Sequence, residues 1–183
     1  MLLIENYERL TREEKVGRHQ WINRVVTEAS KYEWNYFVTL TYEQKHQKQS
    51  YNDVCDDLNH YINAVAGIVI PMTPYNYLLG VSQHYSKAYI GEVTPYHITG
   101  VIYAPSLLAN DIENQWRQKK IKNSNAARMT LGRVDVSKYN PNRAGVAYAM
   151  SQAIGGIYRT NIPSLKHTAL LDEYTYTTTG ASK

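Results

Sequence analysis

Pro95-Tyr96-His97-Ile98-Thr99-Gly100-Val101-Ile102-Tyr103 reads as one extended strand that begins just after a proline. β-branched and aromatic residues dominate it, and a pleated, half-buried surface suits them. Working outward, Tyr77 to Tyr85 reads as a second strand, joined to the first through Ser86-Lys87-Ala88-Tyr89-Ile90-Gly91. Tyr36-Phe37-Val38-Thr39-Leu40-Thr41-Tyr42 alternates with period two and predicts a third strand, and Thr130 to Val136 a fourth. Helical patterns separate these strands. Thr11 followed by Glu14 forms a capping-box pattern opening a helix to about Lys31, with Val16, Trp21, Ile22, Val25, Val26 and Ala29 as its buried stripe. Ser50 or Asn52 caps a second helix whose apolar face is Val54, Leu58, Tyr61, Ile62 and Val65. Pro105 and Ser106 open a third helix running through Trp116, and Arg117 to Met129 reads as a basic loop. Asn140-Pro141-Asn142 caps a last helix through Ile154, which Gly155-Gly156 stops. Tyr174 to Thr179 reads as a short edge strand or an irregular tail. The expected class is α+β: a central, mainly antiparallel five-stranded sheet with packed helices. One domain is expected over residues 1–183, with its core from about 11 to 160 and an irregular tail from 164.

Composition bounds the function. Hydrophobic residues make up 43% and charged residues 20%, which excludes a disordered or fibrous chain. No apolar run approaches the roughly 18 residues of a membrane span, and Glu5, Glu8 and Arg9 do not fit a secretory leader. The single cysteine, Cys55, has no internal disulfide partner and no short-spaced zinc co-ligand, so a cytoplasmic setting is expected, in a host cell if the chain is viral. The net charge of +4 leans toward a polyanionic partner. Tyrosine is in excess, 17 against a single phenylalanine, and fits half-buried core and rim positions, with Tyr85, Tyr96 and Tyr103 as candidates for stacking on unpaired bases.

The ordered segments resemble the HUH superfamily of rolling-circle replication initiators, the Rep proteins of phages and plasmids. Phe37-Val38-Thr39-Leu40-Thr41-Tyr42 is similar to that family's opening strand, and Leu79-Gly80-Val81-Ser82-Gln83-His84-Tyr85 to its G-V-x-E-Y strand. Thr94-Pro95-Tyr96-His97-Ile98-Thr99-Gly100 resembles the turn into the His-hydrophobic-His strand. Trp116-Arg117 falls at a frequent Trp position, and Gly145 to Ala153 resembles the Y-V-A-K-Y-M-S-K-A helix. The resemblance implies metal-assisted transesterification: two histidines and an acidic residue hold Mg²⁺ or Mn²⁺, and a helix-borne tyrosine attacks the DNA phosphate. It also implies that this chemistry is degenerate here. Gln83 stands at the acidic ligand, Pro95 at the first histidine and His97 at the second; a lone imidazole beside an amide and a proline is a poor site for a hard cation. Gly145 stands at the nucleophile in the ungapped register. A three-residue shift brings Tyr148 there and spoils the match at Met150, Ser151 and Ala153.

His84-Tyr85-Ser86 and His97-Ile98-Thr99 also resemble the His-x-Ser/Thr pairs of two-histidine phosphoesterases, whose motifs come from two well-separated repeats rather than neighbouring strands. Arg117, Lys119, Lys120, Lys122, Arg128, Arg133 and Arg143 are the candidate DNA contacts. The expected function is binding of single-stranded or hairpin DNA by an inactivated Rep-like domain of a phage, plasmid or other mobile element, without a cofactor and without a membrane partner. One alternative is an active initiator nicking through Tyr148 with Mg²⁺ or Mn²⁺. The other is a protein-interaction or regulatory module that keeps only the scaffold.

Overall fold

The structure is a computed structural model and describes residues 11–43, 51–82, 96–117, 119–120, 128–129 and 132–166. Among these, four helices pack on one five-stranded antiparallel sheet. The order along the chain is α1 (Arg12–Ala29), β1 (Tyr36–Thr41), α2 (Tyr51–Ala66), β2 (Asn76–Ser82), β3 (His97–Tyr103), α3 (Ala109–Arg117), β4 (Lys119–Lys120), β5 (Arg128–Met129), β6 (Val134–Lys138), α4 (Gly145–Gln152) and β7 (Ala153–Thr160). The sheet runs β6-β1-β3-β2-β7, and β4 pairs with β5 as a separate two-stranded ribbon. The strand β3 is the middle of the sheet, and every pairing in it is antiparallel.

Strand alternation divides the core between the two faces. Val38 and Leu40, Leu79 and Val81, Ile98 and Ile102, and Val134 and Val136 point to one face, where Val54, Leu58, Tyr61, Ile62 and Val65 of α2 and Ile112 and Trp116 of α3 cover them. Fully burying side chains of this size contributes about 1.5–3 kcal/mol each, as an upper bound. Phe37, Leu78 and Val101 point to the other face, beneath Trp21, Val25 and Ala29 of α1 and Val146, Ala149 and Met150 of α4. Trp116 locks α3 down by donating its indole N–H to the Thr41 carbonyl at 3.0 Å, and its ring meets Tyr42 and Tyr61 edge-on.

Several boundaries differ from the sequence expectation. Val16 is exposed and leaves the α1 stripe. The third helix starts at Ala109, not Pro105. Residues 104–107 turn first, and the Asp111 carboxylate accepts the Leu108 N–H at 2.9 Å, half of a capping box that sets the helix start. Arg117 to Met129 is not wholly loop, because it contributes the β4–β5 ribbon. The strand expected over Thr130–Val136 is found at Val134–Lys138, with residues 130–131 outside the described residues; Gly132 lies against the β1 backbone, where a Cβ would come 1.9 Å from the Thr41 carbonyl oxygen. Pro141–Arg143 forms a 3-10 turn, and left-handed Ala144 (φ 51°) separates it from α4. The last helix stops at Gln152, and Gly155-Gly156 lies inside β7 rather than ending a helix. The core also reaches past residue 160, since Ile162 and Leu165 bury against α1 and α4. The possible strand at Tyr174–Thr179 lies outside the described residues.

Candidate nucleic-acid interface

The second sheet face turns polar toward one end. Strand register sets three cross-strand rows there. Phe37, Val101 and Leu78 form the apolar row under the helices; Asp135, Thr39, Thr99 and Gly80 form the next; Thr41, His97 and Ser82 form the last. Residues directly opposite on antiparallel strands share a face, with Cβ atoms about 4.5–5.5 Å apart. His97 therefore stands between two hydroxyls. Arg133 and Asp135 are exposed, Thr39, Thr41 and His97 are half-buried, and Thr99 and Ser82 are buried. Thr41 holds the entry to β6: its N–H and Oγ1 both donate to the Arg133 carbonyl, at 2.9 and 3.1 Å. The Ser82 Oγ is fully buried without a hydrogen-bond partner, as is the Gln152 Oε1 on α4. A buried, unpaired polar atom is costly, so these two are the orphaned polar groups of this region.

Helix α4 crosses the same face. Its first residue, Gly145, lies against Phe37 and Tyr139: a Cβ there would meet their rings at 3.0 and 3.1 Å. Its far end rests on Gly80, where a Cβ would meet Ala153 at 3.0 Å. Between these anchors Tyr148 stands 53% exposed, its ring centroid 6.3 Å from that of Phe37. Four residues separate Phe37 from Thr41, the cross-strand partner of His97. That is roughly 13 Å along the strand. Tyr148 thus borders the polar half of the face without reaching over its last row. Tyr139, packed beside Gly145, has its hydroxyl pKa pushed up by burial.

The sequence-predicted site residues divide as follows. Lys119, Lys120 and Arg128 come together on the ribbon, whose register sets Lys120 opposite Arg128. Arg117 ends α3 one residue before it. Arg133 lies at the His97 end of the sheet, next to Thr41. Arg143 does not join them: it sits in the 3-10 turn beyond the opposite end of β6, on the Phe37 side. Lys122, Gln83 and Pro95 lie outside the described residues. The register puts Ser82 opposite His97. Of the stacking tyrosines, Tyr96 is buried against Tyr51, and the Tyr103 hydroxyl is hydrogen-bonded to Glu33, which raises its pKa. Tyr85 is outside the described residues. The threonines and Ser82 were missed as site residues, although Thr39 and Thr41 alternate with Val38 and Leu40 in a pattern that marks a polar face.

The Thr41–His97–Ser82 row has no free hydroxyl donor for an anion, because the Thr41 hydroxyl already donates to the Arg133 carbonyl and the Ser82 Oγ is buried. It does not suit the Mg²⁺ or Mn²⁺ that the resemblance implies. The cross-strand neighbours of His97 are neutral hydroxyls, and among the described residues no three of His, Cys, Asp and Glu converge. No described helix is long and apolar enough to cross a membrane. No protein-family model matches the chain, and neither the curated proteins nor the solved structures hold a match to it.

Proposed function

We propose that this chain is a DNA-binding, Rep-like protein of a phage, plasmid or other mobile element whose HUH-type nicking site has degenerated, and that it binds single-stranded or hairpin DNA. The observation that carries the reading is the row Thr41–His97–Ser82 at one end of a five-stranded antiparallel sheet, on the face crossed by the helix that bears Tyr148. A central histidine strand and a tyrosine helix over it are what the resemblance implies. Neutral hydroxyls at the cross-strand positions bring no charge to a divalent cation, and the phosphate contacts fall to the basic residues. The β4–β5 ribbon adds Lys119, Lys120 and Arg128, and the chain carries a net charge of +4. Such contacts give salt-sensitive affinity with little base preference.

Fluorescence anisotropy with labelled single-stranded and hairpin DNA tests this. If three or four phosphates are contacted, the slope of log affinity against log salt is roughly −2 to −3. Replacing Lys119, Lys120 and Lys122 together by alanine flattens that slope and weakens all sequences alike. Absence of binding at low salt defeats the proposal and promotes the protein-interaction reading. The active-initiator reading draws on the exposure of Tyr148 on the His97 face. In that case Tyr148 attacks phosphorus and the bond to the 3′ oxygen breaks, leaving a phosphotyrosine that a denaturing gel shows with Mg²⁺ or Mn²⁺ and that Tyr148→Phe abolishes. The expected result is no adduct.

A further inference from the structure

At the opposite end of the sheet from His97, the β2–β3 ladder closes with Asn76 facing Tyr103. Two loops leave that end side by side: residues 67–75 before β2 and 104–108 after β3. The Thr73 and Ser106 hydroxyls, 3.2 Å apart, tie them together. Neither loop holds an Asp, Glu, Lys, Arg or His. Together they expose Ile68, Ile70 (56%), Met72 (101%) and Leu108 (72%), which are four of the six large apolar side chains exposed among the described residues.

Met72 is the unusual member. The Thr73 N–H donates to the Ile70 carbonyl at 3.1 Å, closing a turn with Pro71 second and Met72 third. Met72 has φ 71°, the left-handed value that a type II turn requires at that position. Glycine or asparagine normally fills it, because a larger side chain is strained there. Met72 is fully exposed, so its side chain gains no packing in return. A strained backbone that presents an unpacked apolar side chain points to a contact made beyond the described residues.

We infer that these two loops form the contact between two copies of this chain in a two-fold dimer. In such an interface each residue near the axis meets its own counterpart, so a charge there would repel itself. These loops are free of charge, and apolar side chains such as Met72 and Leu108 are compatible with themselves. Methionine is also pliant enough to seat against its own copy. Nucleic acid is a poor fit, because neither loop carries a cation to meet its phosphates. The patch is smaller than the roughly 20–30 residues a side of a standard interface, so the dimer is weak and concentration-dependent. It leaves the His97 ends of both copies facing away from the contact. This inference does not depend on DNA binding.

Sedimentation velocity of the full chain, from about 10 µM to about 1 mM, tests it. The sedimentation coefficient is expected to rise with concentration from monomer toward dimer. Met72→Asp and Leu108→Asp stay monomeric, with circular-dichroism spectra like the wild type because both side chains are exposed. Met72→Gly gives a paired readout: relief of the left-handed strain raises the melting temperature by about 2–4 °C, while association weakens about tenfold. A wild-type chain that stays monomeric over the whole range overturns the inference. So does association that Met72→Asp leaves unchanged, or a glycine variant that neither melts higher nor associates less. A monomer that floats with neutral phosphatidylcholine vesicles also overturns it, and assigns the patch to lipid.

Discussion

Gly145 shows how one residue constrains what this scaffold can be turned into. In the ungapped register of the resemblance to replication initiators it stands where an initiator carries its nucleophile, so Gly145→Tyr is the substitution that would supply one under the proposed function. Packing argues against it, because a Cβ alone already meets Phe37 at 3.0 Å and Tyr139 at 3.1 Å. A phenol there must displace two rings that close the apolar row. Gly145→Tyr is therefore expected to lower stability by about 1–3 kcal/mol and to form no DNA adduct. Urea denaturation measures the first and a denaturing gel the second; unchanged stability would mean that Phe37 and Tyr139 yield easily. Ala144, immediately before it, is the second non-glycine residue at positive φ. It caps α4 without a side-chain hydrogen bond; its N–H donates to the Pro141 carbonyl at 3.4 Å and its carbonyl accepts the Tyr148 N–H at 2.8 Å, bonds that a glycine would keep. Ala144→Gly is expected to stabilise by roughly 0.5–1 kcal/mol in the same assay.

Among the elements, α4 depends most on its neighbours. It spans only Gly145–Gln152 and has no basic residue in its last turn. Arg18 of α1 supplies the missing charge: its Nη2 donates to the Ser151 carbonyl at 2.5 Å and lies 3.4 Å from that of Ala153. A cation at a helix C-terminus meets both the dipole and the unpaired carbonyls. Arg18→Met should cost about 1–2 kcal/mol, and added salt should narrow the gap between variant and wild type. A melting temperature equal to the wild type's would show that α4 is held by packing alone. Such long-range dependence also explains which elements could be read from the chain. The α2 stripe Val54, Leu58, Tyr61, Ile62 and Val65 is legible because a local period of 3.6 coincides with burial. The alternation in β1 and the apolar run in β3 are legible for the same reason. β7 is not: Ala153–Thr160 contains Gly155-Gly156, which reads as a helix stop, and only its pairing with distant β2 makes it a strand. The ribbon escaped because its four residues carry no apolar period. At the site, His97 stood out by type, whereas Thr41 and Ser82 became its neighbours only through strand register.

On the scale of the whole molecule, the tyrosine excess serves the core more than the surface. Tyr42 and Tyr61 surround Trp116, Tyr51 lies against Tyr96, and Tyr75 against Tyr77, so much of the aromatic bulk stands where phenylalanine would in another chain. Tyrosine differs from phenylalanine in being ionisable, and burial, the largest cause in each case, pushes the hydroxyls of Tyr42, Tyr51, Tyr61 and Tyr75 well above their ordinary value of 10.0. In the folded protein these groups stay neutral, whereas in the unfolded chain they lose protons near pH 10. Above that pH the unfolded state binds fewer protons than the native state, so the slope of stability against pH is negative. The stabilisation from keeping these groups neutral is complete below pH 10 and drains away above it, by up to about 1.4 kcal/mol per buried tyrosine for each further pH unit. Several such residues in one core make the loss steep. Alkaline titration should therefore show the tyrosinate absorbance of the buried group rising only together with the collapse of the circular-dichroism signal. Tyr42→Phe should shift that collapse to higher pH, provided that losing its 3.1 Å hydrogen bond to the buried Asp57 does not itself destabilise the fold at neutral pH, which the same melt reports. A single smooth phase near pH 10 with the fold intact would mean that these hydroxyls reach solvent, and that the tyrosines form a surface rather than a core.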